Sequence, residues 1–234
     1  MILGVIPARS RSKLVKDKNI KPLGGKPLMA HTILTGLKCK LIDKLIVSTD
    51  SQKYADIAKE YGAEVPFIRP ESLATDGAST ESVLKHAVEM IEKKESKVET
   101  VVLLDVTSPF RLASDIEKCV KLLKKPGTES VVTVCEVDHN PFFVMGTVNQ
   151  QGYFDYPLIK PKEKIFRRQD APKVYRLNAA VYAIKRKLVL KEERFTNKTR
   201  VVEMSIIRSS HIDSQEDFLY AEFLLKEDLV KFDY

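Results

Sequence analysis

The chain has no tryptophan and only three cysteines in 234 residues. Cys39, Cys119 and Cys135 are far apart and form no C-x-x-C, which excludes a disulfide framework or a thiolate zinc knuckle. A reducing cytoplasm suits them as small core residues. Equally missing is any apolar run near the ~20 residues of a membrane span. The apolar start "MILGVI" is too short for a signal peptide and has no basic residue before it. There is no internal repeat and no low-complexity linker. Neither G-x-x-x-x-G-K-[ST] nor G-x-G-x-x-G occurs, which removes the two glycine-rich phosphate loops. No two aspartates are separated by one residue, so the D-x-D metal motif of nucleotide-sugar glycosyltransferases is absent as well.

What the chain does have is unevenly placed positive charge. The formal net charge is +7, hydrophobic residues make up 44% and charged residues 30%, as expected of one ordinary globular domain. Residues 1–26 hold seven Lys or Arg against Asp17 alone, and the rest of the chain is nearly balanced apart from a second basic cluster at 160–176. Two focused patches suit a compact anion better than the long stripe a nucleic-acid backbone requires. The first patch is the sharper one. "PARSRSKLVKDKN" places Arg9, Arg11, Lys13, Lys16 and Lys18 immediately after the first apolar strand. From charge alone, a solvated basic loop explains it equally well.

Short apolar strands alternate with amphipathic helices. Strands are expected at Ile2–Pro7, Lys44–Asp50, Glu64–Ile68, Thr100–Val106 and Ser130–Val137. Helices are expected after Asp50 as far as Gly62, from near Ser79, and from a Ser114/Glu117 capping box to Pro126-Gly127. A last helix opens on a Ser214/Asp217 box and runs to about Val230, with Phe218, Leu219, Leu225 and Leu229 inward. This alternation implies a three-layer α/β domain with a mostly parallel sheet, which binds its ligand at the carboxyl ends of the strands. The Pro7–Asn19 loop lies on that rim. Between about 140 and 173 the alternation breaks into a hairpin turning at Asn149-Gln150-Gln151, read as an arm that packs on another subunit. His31, His86 and His139 are isolated and read as surface or structural.

The stretch "PARSRSKLVKDKNIKPLGGKPLMAHTI" resembles the opening of the acylneuraminate cytidylyltransferases, which make CMP-sialic acids. Further stretches match in the family's order: "VSTDS", "RPESLATDGAST", "TSPFR", "RRQDAPKVYRLNAAVY" and "HIDSQEDFLYAE". Together they cover nearly the whole chain. The resemblance implies a single cytidylyltransferase domain over 1–234, Rossmann-like and GT-A-like, with the 140–173 hairpin as a dimerisation arm of a cytoplasmic homodimer. It implies transfer of CMP from CTP to a sugar acid, with Mg²⁺ as the cofactor and neither nucleic acid nor membrane as a partner.

Carried over residue by residue, Arg9, Lys13, Lys18 and Asn19 would grip the CTP phosphates. Ala8, Arg69, Ala78, Ser79 and Thr80 would frame cytosine and ribose. Asp105, Arg168, Gln169, Asn178 and Tyr182 would face the sugar acid. Arg9, Lys18, Asn19 and Asp213 would carry the chemistry, with Asp213 as the metal ligand and Asp105 as a second candidate. Two departures bear on the substrate. Asp105 stands where most sialic-acid members carry Gln, and His211 stands where they carry the first carboxylate of I-D-I-D. A hard Mg²⁺ prefers oxygen, so His211 is not expected to bind it. Kdo-activating relatives would show Q-G-D-E-P where this chain has Asp-Val-Thr-Ser-Pro, which favours nine-carbon sialic, legionaminic or pseudaminic acids. The competing classes are a nucleotide-sugar glycosyltransferase and a non-catalytic nucleotide- or nucleic-acid-binding protein.

Overall fold

The structure, a computed structural model, describes residues 1–10 and 14–234. In chain order its elements are β1 (Ile2–Pro7), β2 (Pro22–Leu23), β3 (Lys26–Pro27), α1 (Leu28–Lys38), β4 (Lys44–Ser48), α2 (Gln52–Glu60), α3 (Thr80–Glu92) and β5 (Thr100–Leu104). There follow α4 (Ala113–Leu123), β6 (Ser130–Glu136), β7 (Thr147–Val148), β8 (Phe154–Asp155), β9 (Tyr175–Lys185), α5 (Arg186–Val189), β10 (Thr199–Glu203) and α6 (Gln215–Lys226).

Six strands form the central sheet in the order β10-β6-β9-β5-β1-β4. All are parallel except β9, which runs antiparallel to both its neighbours, β5 and β6. The strands are apolar on both faces because helices cover both, as the alternation predicts. One face packs Ile6, Val47, Val102 and Leu104 against Ile33, Ala58, Ile116 and Phe218 of α1, α2, α4 and α6. The other packs Leu3, Val5, Val101 and Leu103 against Leu84, Val88 and Ile91 of α3 and Leu188 of α5. Gly36 lets α1 lie close to the sheet, since a Cβ there would sit 2.9 Å from a Leu45 methyl.

Three expectations are corrected. The strand at Glu64–Ile68 reduces to a single bridge between Ile46 and Glu64. Val47 N–H donates to the Glu64 carbonyl at 2.9 Å and Glu64 N–H donates to Leu45 at 3.1 Å. The next donor two residues on would be Pro66, which has no N–H, so the ladder stops. Helix α4 opens at Ala113 without using the Ser114/Glu117 box. Asp115, three residues past the cap position, accepts the Leu112 N–H at 2.9 Å instead. The last helix ends at Lys226, and Asp228 with φ 56° turns the chain back before Val230. Its buried residues are Phe218, Ala221 and Leu224, while Leu219 and Leu229 lie more than half exposed. The Ser214/Asp217 capping box and the Ser79 cap of α3 form as expected. Among the described residues no helix is long and apolar enough to cross a membrane.

Residues 141–173 leave the sheet as an excursion. Its base is closed by Asn140 Nδ2 donating to the Pro172 carbonyl at 2.7 Å. Its two-residue ladder pairs Thr147 with Asp155 and Val148 with Phe154. The Asn149 carboxamide accepts from the N–H groups of Gln151 and Tyr153, both at 3.0 Å, and Gly152 takes φ 85° to complete the turn.

Candidate active site at the carboxyl rim of the sheet

Where β1 ends, Ala8 N–H still donates to Ser48 of β4 at 2.9 Å, and the chain then leaves the sheet. Asp50, at the end of the neighbouring strand, accepts from Ser10 N–H and Ser10 Oγ, both at 2.8 Å. The far end of the loop is secured by Asn19, which is buried and donates from Nδ2 to the Arg9 carbonyl at 2.9 Å. Asp17 turns through φ 53° and accepts from Tyr54 Oη at 3.2 Å. Lys18 is thereby aimed across the rim to the other end of the chain. Its Nζ donates to the Ile212 carbonyl at 2.9 Å and to Asp213 Oδ1 at 2.7 Å.

Arg9, Lys18, Asn19 and Asp213 line one cavity of about 610 Å³ with Arg69, Asp76, Ala78, Thr80, Asp105 and Thr107. In it each cation has a carboxylate. Lys18 holds Asp213, Arg9 meets Asp76 at 2.8 Å, and Arg69 stands 4.0 Å from Asp50. Arg69 is only 4% exposed, yet its Nε and Nη2 have no hydrogen-bond partner among the described residues. Burial pulls its guanidinium below the ordinary arginine range; nearby Asp50 opposes this and Arg9 adds to it. Such a fork is expensive to leave unmade, and native buried donors are normally paired.

The acidic side is wired together. Asp105 Oδ1 accepts from Thr107 Oγ1 at 3.0 Å, His211 Nδ1 is 3.3 Å from that hydroxyl, and His211 Nε2 is 3.1 Å from Asp213 Oδ2. Behind Asp105 lies Arg111, fully buried. Its Nε donates to the Ala180 carbonyl at 2.8 Å, its Nη1 to Thr32 Oγ1 at 2.8 Å, and its Nη2 to the Asp105 carbonyl. Burial lowers the Arg111 guanidinium to about 10, against the pull of Asp105 and Asp115.

Of the residues singled out from sequence, Arg9, Lys18, Asn19, Arg69, Ala78, Thr80, Asp105 and Asp213 converge on this cavity. Ala8 is buried directly beneath, and the Ser79 hydroxyl is engaged by α3, accepting the Ser82 N–H at 3.1 Å. Lys13, like Arg11, lies outside the described residues. Lys16 does not join Arg9 and Lys18; it borders a neighbouring hollow with Asp17 and Lys21. The sugar-facing set is not assembled within one chain. Arg168 and Gln169 line a separate hollow of about 340 Å³ at the base of the excursion, where Arg168 pairs with Asp138. Asn178 is buried, donating to Ser209 Oγ at 2.9 Å and accepting from Ala180 N–H at 3.2 Å. Tyr182 is core, edge-on to Phe195 and beneath the Arg194 guanidinium, and burial raises its phenol above the usual range. Asp76 and Arg111 were given no role from sequence, although both sit inside matching stretches, "LATDGAST" and "TSPFR".

Fold and cleft together define an α/β protein of the nucleotidyltransferase kind. The chain belongs to the cytidylyltransferase family, whose profile matches residues 3–230. It is 34% identical over 230 residues to the CMP-N,N'-diacetyllegionaminic acid synthase of Legionella pneumophila, covering 96% of each chain. It is also 34% identical over 219 residues to an N-acylneuraminate cytidylyltransferase of Streptococcus agalactiae, covering 92% of this chain and 51% of that protein. The fold matches that of a CMP:2-keto-3-deoxy-manno-octonic acid synthetase complexed with CTP, with a TM-score of 0.73 at 16% identity over 97% of this chain and 99% of the other.

Proposed function

We propose that the protein activates a nine-carbon 2-keto-3-deoxy sugar acid of the sialic, legionaminic or pseudaminic type with CTP. The anomeric hydroxyl oxygen forms a bond to the α-phosphorus, the bond to the bridging oxygen breaks, and pyrophosphate leaves with that electron pair. The observation that carries this reading is the convergence of Arg9, Lys18, Asn19 and Arg69 on one cavity at the strand ends. A triphosphate arriving there exchanges carboxylate partners for phosphate oxygens at Arg9 and Lys18. Fixed cations at the leaving group stabilise charge that grows in the transition state. Two coplanar N–H donors on Arg69 suit the adjacent acceptors O2 and N3 of cytosine and reject uracil, whose N3 is itself a donor.

Mg²⁺ fits the donor set. Asp213 and Asp105 offer carboxylate oxygens, and among the described residues no group of three or more His, Cys, Asp or Glu gathers into a dedicated cage. A cation that keeps its waters and rides on substrate phosphates needs only such one or two carboxylates. When bound, it supplies charge neutralisation at the phosphates. Asp213 and Asp105 are also the groups in reach to take the hydroxyl proton.

Arg168 and Gln169 stand away from their own chain's cavity, so in this reading they meet the sugar acid across a homodimer built by the 140–173 arm. Support comes from Val148, Tyr153, Phe154 and Phe166, each more than half exposed on the excursion. Sedimentation of a Tyr153→Glu/Phe154→Glu variant should show a monomer; an unchanged dimer removes the arm from the interface. The activity itself is tested by pyrophosphate release with CTP, Mg²⁺ and a panel of sialic, legionaminic, pseudaminic and Kdo acids. Turnover confined to CTP and a nine-carbon acid is expected, and no release with any acid overturns the proposal.

A further inference from the structure

Arg111 is among the most deeply buried side chains, and it is a cation with no hydrogen-bonded carboxylate among the described residues. Burying a charge is costly, and apolar replacements of buried ionic groups are often neutral or stabilising, so packing alone does not account for it. Its position does. The ladder between β5 and β9 ends at the pair Leu104 and Val181. Two residues further along β9, the backbone at Ala179 takes φ 55°, an irregularity that also shifts the β6–β9 register. Beyond that point β5 and β9 separate, and the carbonyls of Asp105 and Ala180 lose the strand partners an unbroken ladder would give them. The Arg111 fork takes both, while Ser108 Oγ donates to the Asn178 carbonyl at 2.8 Å. Thr32 of α1 completes the clamp, accepting from Arg111 Nη1 and donating to the Asp105 carbonyl at 3.5 Å.

We infer that Arg111 is a positioning residue that holds the strand ends apart at the cavity floor and so fixes where the Asp105 carboxylate stands. Two fixed points define that carboxylate: its own backbone carbonyl, held from behind by Arg111, and Thr107, whose hydroxyl donates to it from the front. A planar fork with two divergent donors can bridge two carbonyls; an ammonium reaches them only as a point charge. The inference rests on Asp105 facing substrate, as proposed above, while the clamp itself is a separate matter of backbone geometry.

Two measurements separate the two. Amide hydrogen exchange on Arg111→Lys should quicken at 104–108 and 177–181 and stay at the wild-type rate in β1, β4 and α2; a uniform rise across the sheet, or no change, overturns the clamp whether or not the protein turns over CTP. Where turnover is measurable, Arg111→Lys should raise KM for the sugar acid about tenfold and leave the CTP dissociation constant, measured without Mg²⁺, within about twofold. In an Asp105→Ala background the same substitution should add less than about twofold, because both act on one carboxylate. Full additivity, or an equal loss in CTP affinity, sinks the positioning role. Thr32→Val keeps the cation and removes one partner, and should move the same quantities in the same direction by a smaller factor.

Discussion

Replacing Lys18 by Met removes the ammonium and keeps most of the side-chain length. Lys18 Nζ sits 2.7 Å from Asp213 and 2.9 Å from the Ile212 carbonyl, with the side chain 13% exposed. At an effective dielectric near 20, a cation ~4 Å from a phosphate oxygen gains roughly 4 kcal/mol before desolvation. Part of that is already spent on Asp213. A charged hydrogen bond nets ~1.5–3 kcal/mol, a factor on the order of 10–150 in rate or affinity. If Lys18 meets mainly the charge that develops on departing pyrophosphate, the loss falls on kcat and reaches about 10²–10³. Stability should hardly change, because Asp213 is 54% exposed and water can replace a surface partner at a cost within about 1 kcal/mol. Steady-state pyrophosphate release and thermal unfolding of the same preparation measure both. A fall below ~3-fold in kcat/KM, or a loss matched by a collapse in Tm, refutes the placement of Lys18 at the phosphates.

Arg69→Met should move stability and function in opposite directions. It relieves two unsatisfied buried donors at about 1–3 kcal/mol each, raising the Tm measured without CTP, while CTP binding by calorimetry weakens at least ~10-fold. His211→Asp brings a second carboxylate beside Asp213, and should tighten Mg²⁺ binding in a titration without loss of turnover; weaker binding would make His211 a ligand after all. Acid should loosen the C-terminal tail. His31 is buried, stacked 3.9 Å from Phe232, 2.5 Å from Tyr234 Oη and 2.8 Å from the Leu23 carbonyl. Because that carbonyl only accepts, Nε2 carries the proton and Nδ1 accepts from Tyr234. Burial lowers its pKa from 6.5 to about 4, so the unfolded chain binds the extra proton first. Its contribution is complete above pH ~6.5 and falls away toward pH ~4, by about 3 kcal/mol in all. Urea unfolding between pH 7 and 4.5 should show this slope, and His31→Gln should flatten it.

Much of the sheet was legible because both of its faces are buried, which turns β1, β4, β5 and β6 into plain apolar runs bounded by turn residues. Caps were legible where the first-turn acid and the Ser stood in register, as at Ser214 and Asp217. They misled at Ser114, where Asp115 took the role expected of Glu117, two residues earlier. Strand Glu64–Ile68 failed on one missing N–H, an effect of register that composition does not display. The long β9 was not anticipated, because its first three residues are exposed and its last half is core, so neither an alternating nor a continuous apolar pattern runs through it. The cavity's cations were visible as a charge cluster, but their carboxylate partners were not. Asp213 reaches Lys18 across 195 residues, and Asp76 meets Arg9 from another loop. Arg111 could have been suspected, since an arginine followed by an apolar helix face has no obvious route to water.

Strand β9 has a mechanical consequence. Its exposed start grows directly out of the excursion, and its middle, at Asn178 to Ala180, is tied to Ser108 and Arg111 behind Asp105 before the strand enters the core. Anything that grips the arm therefore pulls on the same strand whose carbonyls Ser108 and Arg111 hold, and the turn of the backbone at Ala179, φ 55°, is the point along it where such a pull would be taken up.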